Sequence, residues 1–345
     1  MSEMVERERS GSKLKPSVGF WIRLVVASAI IGLIAWNNDW VKFWQEFSNA
    51  DFRWLTAAFV AFGLALFMGA FRWMCLLRVQ KIALTFGETW KINMIGFFFN
   101  QFLFGSTGGD LIKIFYAIRK APDRKAQATL SMIMDRVLGL VAILAVTFLL
   151  LPWEWERLTS NEKTRPIIFG LAFVLSCVFC GLTVMFIFPV HKLPLVFHKL
   201  WLKIPKREIF EDLYQGMFAH LRETKHTLSA VIGAIATVIP LLSIGWLLAK
   251  SLHLDIHYGP MTILFAIVLC AMSIPLFPGG HGIREGAFFL LFGVFGVTRQ
   301  GQPVGEETAL ACSTLFLLIN LGWSMIGGIV YLFFSSQIKK SESVS

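Results

Sequence analysis

Seven ionisable residues stand within or beside long apolar stretches of this sequence: Arg72, Asp110, Lys113, Asp135, Arg136, Arg284 and Glu285. A charge at the centre of a bilayer costs about 2.5–3.5 kcal/mol on insertion scales, so each of these side chains requires a partner or a water-filled cavity. Three of them sit at two glycine-rich interruptions, Gly105-Ser106-Thr107-Gly108-Gly109-Asp110 and Pro278-Gly279-Gly280-His281-Gly282-Ile283-Arg284-Glu285, and Lys113 follows directly after the first. The chemistry available there is recognition of an anion: a helix that starts after a glycine turn points its free N–H groups at the turn, and cations nearby supply the opposite charge.

At the first interruption Gly108 and Gly109 allow a sharp turn, and Asp110 and Lys113, three residues apart, share a helix face on which they can pair. Asp110 can instead cap the helix that follows. At the second, Gly280 and Gly282 make the loop pliable. Arg284 can hold a phosphate in a bidentate fork, with Glu285 satisfying it when no ligand is present; the plainer alternative is an Arg284–Glu285 pair that only locks the turn. His281 could bind or shuttle a proton, although a loop histidine without a role is the simpler expectation. Asp135 and Arg136 are consecutive and point about 100° apart on a helix, so they seek different partners. The expected pairings are Arg136 with Asp110 or a ligand phosphate, and Asp135 with Lys113 or Arg72. Asn100 is a further candidate for the site. Asn93, Gln101 and Asn320 could add hydrogen bonds, a role that interhelical packing also gives to such residues.

The elements that hold these residues are set by composition. Of 345 residues 56% are hydrophobic and only 16% charged, and the mean hydropathy is +0.65, values outside the range of a soluble globular domain. Apolar segments cover about 18–36, 54–77, 92–104, 128–151, 166–189, 228–250, 261–297 (interrupted) and 308–335. Six reach the roughly 20 residues that a helix needs to cross about 30 Å of hydrocarbon. The two that contain the glycine breaks do not: thirteen residues at 1.5 Å each extend only about 20 Å. Both read as half-helix, turn, half-helix.

The fold class predicted is therefore an all-α integral membrane protein with six full transmembrane helices and two re-entrant helical hairpins. Cytoplasmic loops collect Lys and Arg. If both hairpins turn back, the segments 1–17, 78–91, 119–127, 190–227 and 336–345 hold 20 basic residues and the opposite loops hold 6. Both termini are then cytoplasmic, in a multi-pass protein of the cell membrane. Each half reads span, span, hairpin, span, and three crossings invert the second half, which suggests an inverted-topology repeat with halves at about 18–151 and 166–335. Residues 1–17 and 336–345 are read as tails, and 190–227 as a cytoplasmic segment with an amphipathic helix around Ile209, Phe210, Leu213, Met217 and Leu221. No cleavage site follows the first apolar run, so it is read as a retained anchor.

Enzyme signatures are missing. The sequence holds no H-E-x-x-H, Walker P-loop, G-x-S-x-G or aspartate-rich metal motif. Cys75, Cys177, Cys180, Cys270 and Cys312 all lie in apolar stretches, and the C-x-x-C at Cys177 is read as apolar filler. No cofactor, metal or nucleic-acid partner is expected, and a homo-oligomer is left open.

Three ordered motifs add a resemblance. The run Asn100-Gln101-Phe102-Leu103-Phe104-Gly105-Ser106-Thr107-Gly108-Gly109-Asp110-Leu111-Ile112-Lys113, then Asp135-Arg136-Val137-Leu138-Gly139-Leu140, then Gly280-His281-Gly282-Ile283-Arg284-Glu285-Gly286 are similar to elements of the transmembrane, flippase-like family of lysylphosphatidylglycerol synthases. That family is the membrane half of the bacterial multiple peptide resistance factor. Phe104 stands where the family usually has Pro, and Lys113 where it has Arg. The resemblance implies movement of lipid across a membrane. In two-domain relatives a cytoplasmic aminoacyl-transferase domain makes the lipid; no segment here resembles it, so synthase activity is not expected.

The function expected is a lipid flippase or transporter that takes a phospholipid or lipid-linked headgroup into a cavity between the hairpins. Arg284, Arg136 and Lys113 would neutralise the headgroup, with Glu285, Asp135, Asp110, Gly108, Gly109, Gly280, Gly282 and Asn100 completing the site. On this reading Arg284→Ala loses headgroup binding but still folds. The alternatives are an intramembrane enzyme acting on lipid-linked substrates and a proton-coupled transporter of a small solute.

Overall fold

The computed structural model describes residues 40–102, 108–160, 162–187, 224–273 and 282–342. The expected span at 18–36, the amphipathic stretch Ile209 to Leu221, Gly280 and His281 lie outside them. The described chain is helical apart from one short two-stranded antiparallel ribbon. In order the helices are α1 (Trp40–Ser48), α2 (Phe52–Val79), α3 (Phe86–Phe102), α4 (Gly108–Lys120), α5 (Lys125–Thr159), α6 (Arg165–Ile187), α7 (Thr224–Ser251), α8 (Tyr258–Ser273), α9 (Ile283–Phe295) and α10 (Glu306–Glu342). A 3₁₀ turn, Pro122–Arg124, leads into α5, and the ribbon β1 (Thr298–Arg299) and β2 (Gln302–Pro303) precedes α10.

Among the described residues four helical stretches are long and apolar enough to cross a membrane: Phe52–Val79, Pro122–Thr159, Lys225–Ser251 and Glu306–Phe333. These correspond to four of the six full spans read from the sequence. Exposed Val60, Leu149, Phe173, Ile232, Ile329 and Leu332 give these helices and α6 an apolar outer face, the arrangement suited to a lipid solvent.

The two short apolar segments each fold back on themselves. At the open end of the α3–α4 hairpin, Lys120 Nζ donates to Glu88 Oε1 at 2.9 Å. At its tip, Gly109 N donates to Asn100 Oδ1 at 2.8 Å. Between these, the stem of Lys113 lies against Gly96. Residue numbers that fall on one helix as they rise on the other define an antiparallel pair. The approach at the tip excludes side chains: a Cβ on Gly109 would stand 1.8 Å from the Gly96 carbonyl oxygen.

The α8–α9 pair follows the same rule. Phe265 packs on Phe288 with ring centroids 6.0 Å apart, and at the open end Asp255 N donates to Thr298 O at 2.7 Å. Gly282, at φ 85°, begins α9, and its N–H is taken up by Glu285 Oε2 at 2.6 Å.

The helices α2 and α7 lie side by side and antiparallel. Asp51 N bonds Ser251 O at 2.8 Å, Trp54 meets Trp246 edge-on at 5.6 Å, and Arg72 backs on Gly233. The largest buried cluster runs from this seam into α8, α9 and α10 through Phe62, Val238, Leu242, Phe265, Phe288 and Phe316. At the ends of these helices Arg299 binds both carboxylate oxygens of Glu46, at 2.7 and 2.6 Å, and also Leu252 O at 2.8 Å. A planar guanidinium matches a carboxylate in this two-pronged way, and here it ties α1 and the ribbon to the end of α7.

Candidate functional site

A cavity of about 390 Å³ opens where α2, α3, α4, α5, α7 and α8 meet. Its charged lining is Arg72 from α2, Asp110 and Lys113 from α4, and Asp135 and Arg136 from α5; Asn93, Asn100 and Gln101 of α3 and Ser273 of α8 add polar atoms. Apart from Thr237 of α7, the rest of the wall is apolar, with Phe62, Leu66, Phe97, Ile143, Val238 and Leu241.

The turn chemistry places Asp110. Helix α4 starts at Gly108, two residues before Asp110, and Asn100, reaching over from the end of α3, accepts the N–H of Gly109 in its first turn. Asp110 therefore sits inside the first turn, with its carboxylate directed at α5, where Nε and Nη2 of Arg136 both approach Oδ2 at 2.8 Å. The Asp110 side chain is 10% exposed and that of Arg136 is 50% exposed, so the pair spans from the buried interior to the cavity mouth. The second oxygen, Asp110 Oδ1, is buried and has no hydrogen-bond partner.

Asp135, one residue before Arg136, points elsewhere around α5, as consecutive helical residues must. Its Oδ1 accepts from Arg72 Nε at 2.6 Å, with both side chains buried. Gly139, one turn on, leaves room for the Arg72 guanidinium: a Cβ there would be 3.1 Å from Nη1. The two expected pairings, Arg136 with Asp110 and Asp135 with Arg72, are the ones present. Asp110 and Lys113, which could have paired along one face of α4, do not. Asp110 is turned to α5, and Lys113 extends across Gly96 to place Nζ 5.6 Å from the ring centre of Trp73, as a cation over an aromatic face. Trp73 is fully buried and was not singled out from the sequence; its position next to Arg72 was the available signal.

The charged residues of the second interruption, Arg284 and Glu285, are not brought to this cavity. Arg284 is 2% exposed. Its Nε donates to Ser313 Oγ of α10 at 2.9 Å, and Nη2 is paired with Glu285. Neither Arg284 nor Glu285 lines the cavity, in contrast to the single headgroup site expected from the sequence. Ser313 supplies the bond that sequence reasoning missed, since nothing in a serine of an apolar helix marks it as an arginine's partner. The second hairpin reaches the cavity at the other side of its turn, through Met272 and Ser273. Among the described residues no group of three His, Cys, Asp or Glu side chains could hold a metal ion.

A helical bundle with several membrane-length helices and a charge-lined cavity in an apolar wall defines a polytopic membrane protein. Residues 20–328 match the family model described as the lysylphosphatidylglycerol synthase TM region, and the chain belongs to that family. It is also 22% identical over 338 residues to the UPF0104 membrane protein PH1989 of Pyrococcus horikoshii, an alignment that covers 90% of this chain and 96% of the relative.

Proposed function

We propose that this protein is a lipid flippase or lipid transporter of the cell membrane, and that the cavity between α2, α4 and α5 receives the headgroup of a phospholipid or lipid-linked substrate. The observation that carries this reading is the pairing of charge with an apolar wall in one cavity: Arg72, Lys113 and Arg136 beside Asp110 and Asp135, facing Phe62, Phe97, Ile143 and Leu241. An anionic headgroup and acyl chain need both surfaces together. Membership of the lysylphosphatidylglycerol synthase transmembrane family supports a lipid-related role.

On this reading the two helical hairpins are re-entrant, the termini are cytoplasmic, and the halves form an inverted repeat. The antiparallel fold-back of α3 on α4 and of α8 on α9, and the antiparallel seam of α2 with α7, support that arrangement. Inverted repeats with broken helices place substrate at the repeat interface and move it by rocking one half against the other. The protein performs no bond chemistry of its own; its partner is the membrane phospholipid.

The test is reconstitution of the full chain into liposomes that carry a fluorescent phospholipid, followed by quenching of the outer leaflet. The expected result is transfer of protected label to the outer leaflet faster than in empty liposomes. A rate equal to that of empty liposomes, together with uptake of a soluble solute driven by a pH gradient, would replace this reading with a solute transporter.

A further inference from the structure

The cations of the cavity are not equally provided for. Arg136 is held by Asp110 and Arg72 by Asp135. Among the described residues Lys113 Nζ forms no ion pair and no hydrogen bond, and it lies on the face of Trp73, 5.6 Å from the ring centre. Lys113 is nonetheless buried, at 8% exposure, and lines the cavity. The charged groups that face it are Asp110 on its own helix, Asp135 and Arg136 on α5, and Arg72 on α2. Helices α3, α7 and α8 turn Asn93, Asn100, Gln101, Thr237 and Ser273 to the cavity, and none of these titrates. With the Lys113 amine neutral, the charges of this lining balance as two arginines and two carboxylates; with it protonated, one positive charge is left over. Residues 103–107 and 274–281 contain no lysine, arginine or carboxylate, and His281 is their one titratable side chain.

A guanidinium stays charged wherever it is placed, whereas a lysine amine can release its proton where burial leaves the charge unbalanced, and an anion beside it favours the charged form again. We propose that Lys113 is the proton carrier of this cavity, so that each anionic occupant enters together with one proton. The neutral amine takes up a proton from solution, becomes an ammonium, and pairs with the anion. One positive and one negative charge arrive together, so the lining and its occupant are balanced both empty and filled. The face of Trp73 steadies the ammonium once it has formed. Linkage makes the effect reciprocal: a lower pH tightens anion binding, and the anion holds the proton on Lys113. A proton gradient across the membrane then acts on the distribution of the anion. This rests on the proposed transport role and adds the coupled ion to it.

The test is isothermal titration calorimetry of the purified, delipidated full chain in mild detergent, with the heat of lipid entering protein-free micelles subtracted. The probe is dihexanoyl phosphatidylmethanol, a phosphodiester whose single negative charge does not titrate near neutrality, and chain-free dimethyl phosphate is run beside it. Titrations in two buffers of different ionisation enthalpy count the protons taken up, and about pH 8 keeps His281, with an ordinary histidine pKa of about 6.5, out of the count. The expected result is about one proton per lipid bound by the wild type, with affinity falling about tenfold per pH unit above that point. Binding by Lys113→Arg, whatever its strength, should take up no proton. If that variant does not fold, Lys113→Met replaces it, and the pH dependence of the wild type stands as a measurement of its own. Lipid bound with no proton uptake and no pH dependence would overturn the coupling and leave the lipid reading in place. Equal proton uptake by wild type and Lys113→Arg would move the proton to another group and overturn the role of Lys113. Dimethyl phosphate bound with one proton while the lipid is refused would keep the coupling and replace the lipid with a soluble anion. Binding of neither probe would overturn both readings.

Discussion

Arg72 and Asp135 are joined at 2.6 Å across the interface of α2 and α5, with both side chains buried. Removal of one partner from such a pair typically costs 3–5 kcal/mol, because the other charge is left buried and unmatched, whereas replacement of both by apolar residues is often close to neutral. Arg72→Met should therefore lower thermal stability in detergent by the equivalent of about 3 kcal/mol, and Arg72→Met with Asp135→Leu should recover most of it. A double variant no more stable than the single one would show that the pair is not the unit that matters.

The hairpin tip depends on a contact without side chains. Gly109→Ala would set a Cβ 1.8 Å from the Gly96 carbonyl, a clash with backbone that only separation of α3 and α4 relieves. We expect Gly109→Ala to lose folded protein in detergent, measured by size-exclusion profile. The milder Asn100→Ala, which uncaps Gly109 N, should cost about 1 kcal/mol, as other N-cap losses do. A normal profile and stability for Gly109→Ala would show that the tip is not packed as described.

Arg284 carries a prediction opposite to the one drawn from sequence. A guanidinium that is 2% exposed and held by Ser313 and Glu285 joins α9 to α10, and its loss leaves Glu285 in the bundle without its cation. Arg284→Ala should reduce yield and thermal stability, by about 3 kcal/mol on the scale of a broken buried pair, with headgroup affinity unchanged in the protein that folds. Selective loss of headgroup binding at full stability would restore Arg284 to the ligand site.

Glu88 gives the first hairpin a pH-sensitive rim. Its carboxylate accepts from Thr85 N at 2.8 Å and from Lys120 at 2.9 Å, and these bonds, that from the Thr85 backbone foremost, hold its pKa below the ordinary 4.5. A group lowered in the folded state contributes stability above its unfolded pKa, and the contribution is lost as pH falls through the folded value. The stability gap between wild type and Glu88→Gln should be present at neutral pH and close below pH 4.5. A gap that widens on acidification would contradict this sign.

How much of this was legible beforehand can be argued residue by residue. The helices α2, α5, α7 and α10 follow from runs of apolar residues long enough to cross a bilayer, a signal that is local and one-dimensional. The breaks at Gly108-Gly109 and Gly282 were visible because glycine marks a turn wherever it clusters in an apolar run. Asp135 and Arg136 could be sent to separate partners from the 100° helical step alone, and the residues expected to meet them, Asp110, Lys113 and Arg72, were already few.

The sequence by itself determined that this chain lies in lipid, where its helices break, and that its few buried charges must meet one another, because burial of charge is expensive whatever the fold. Only the tertiary structure decided which charges share a cavity: Arg136 lies on Asp110, Lys113 ends on Trp73, and Arg284 is taken out of reach by Ser313. Those choices depend on how helices distant in sequence approach and rotate against one another, and helical periodicity fixes a residue's face without fixing what that face will meet.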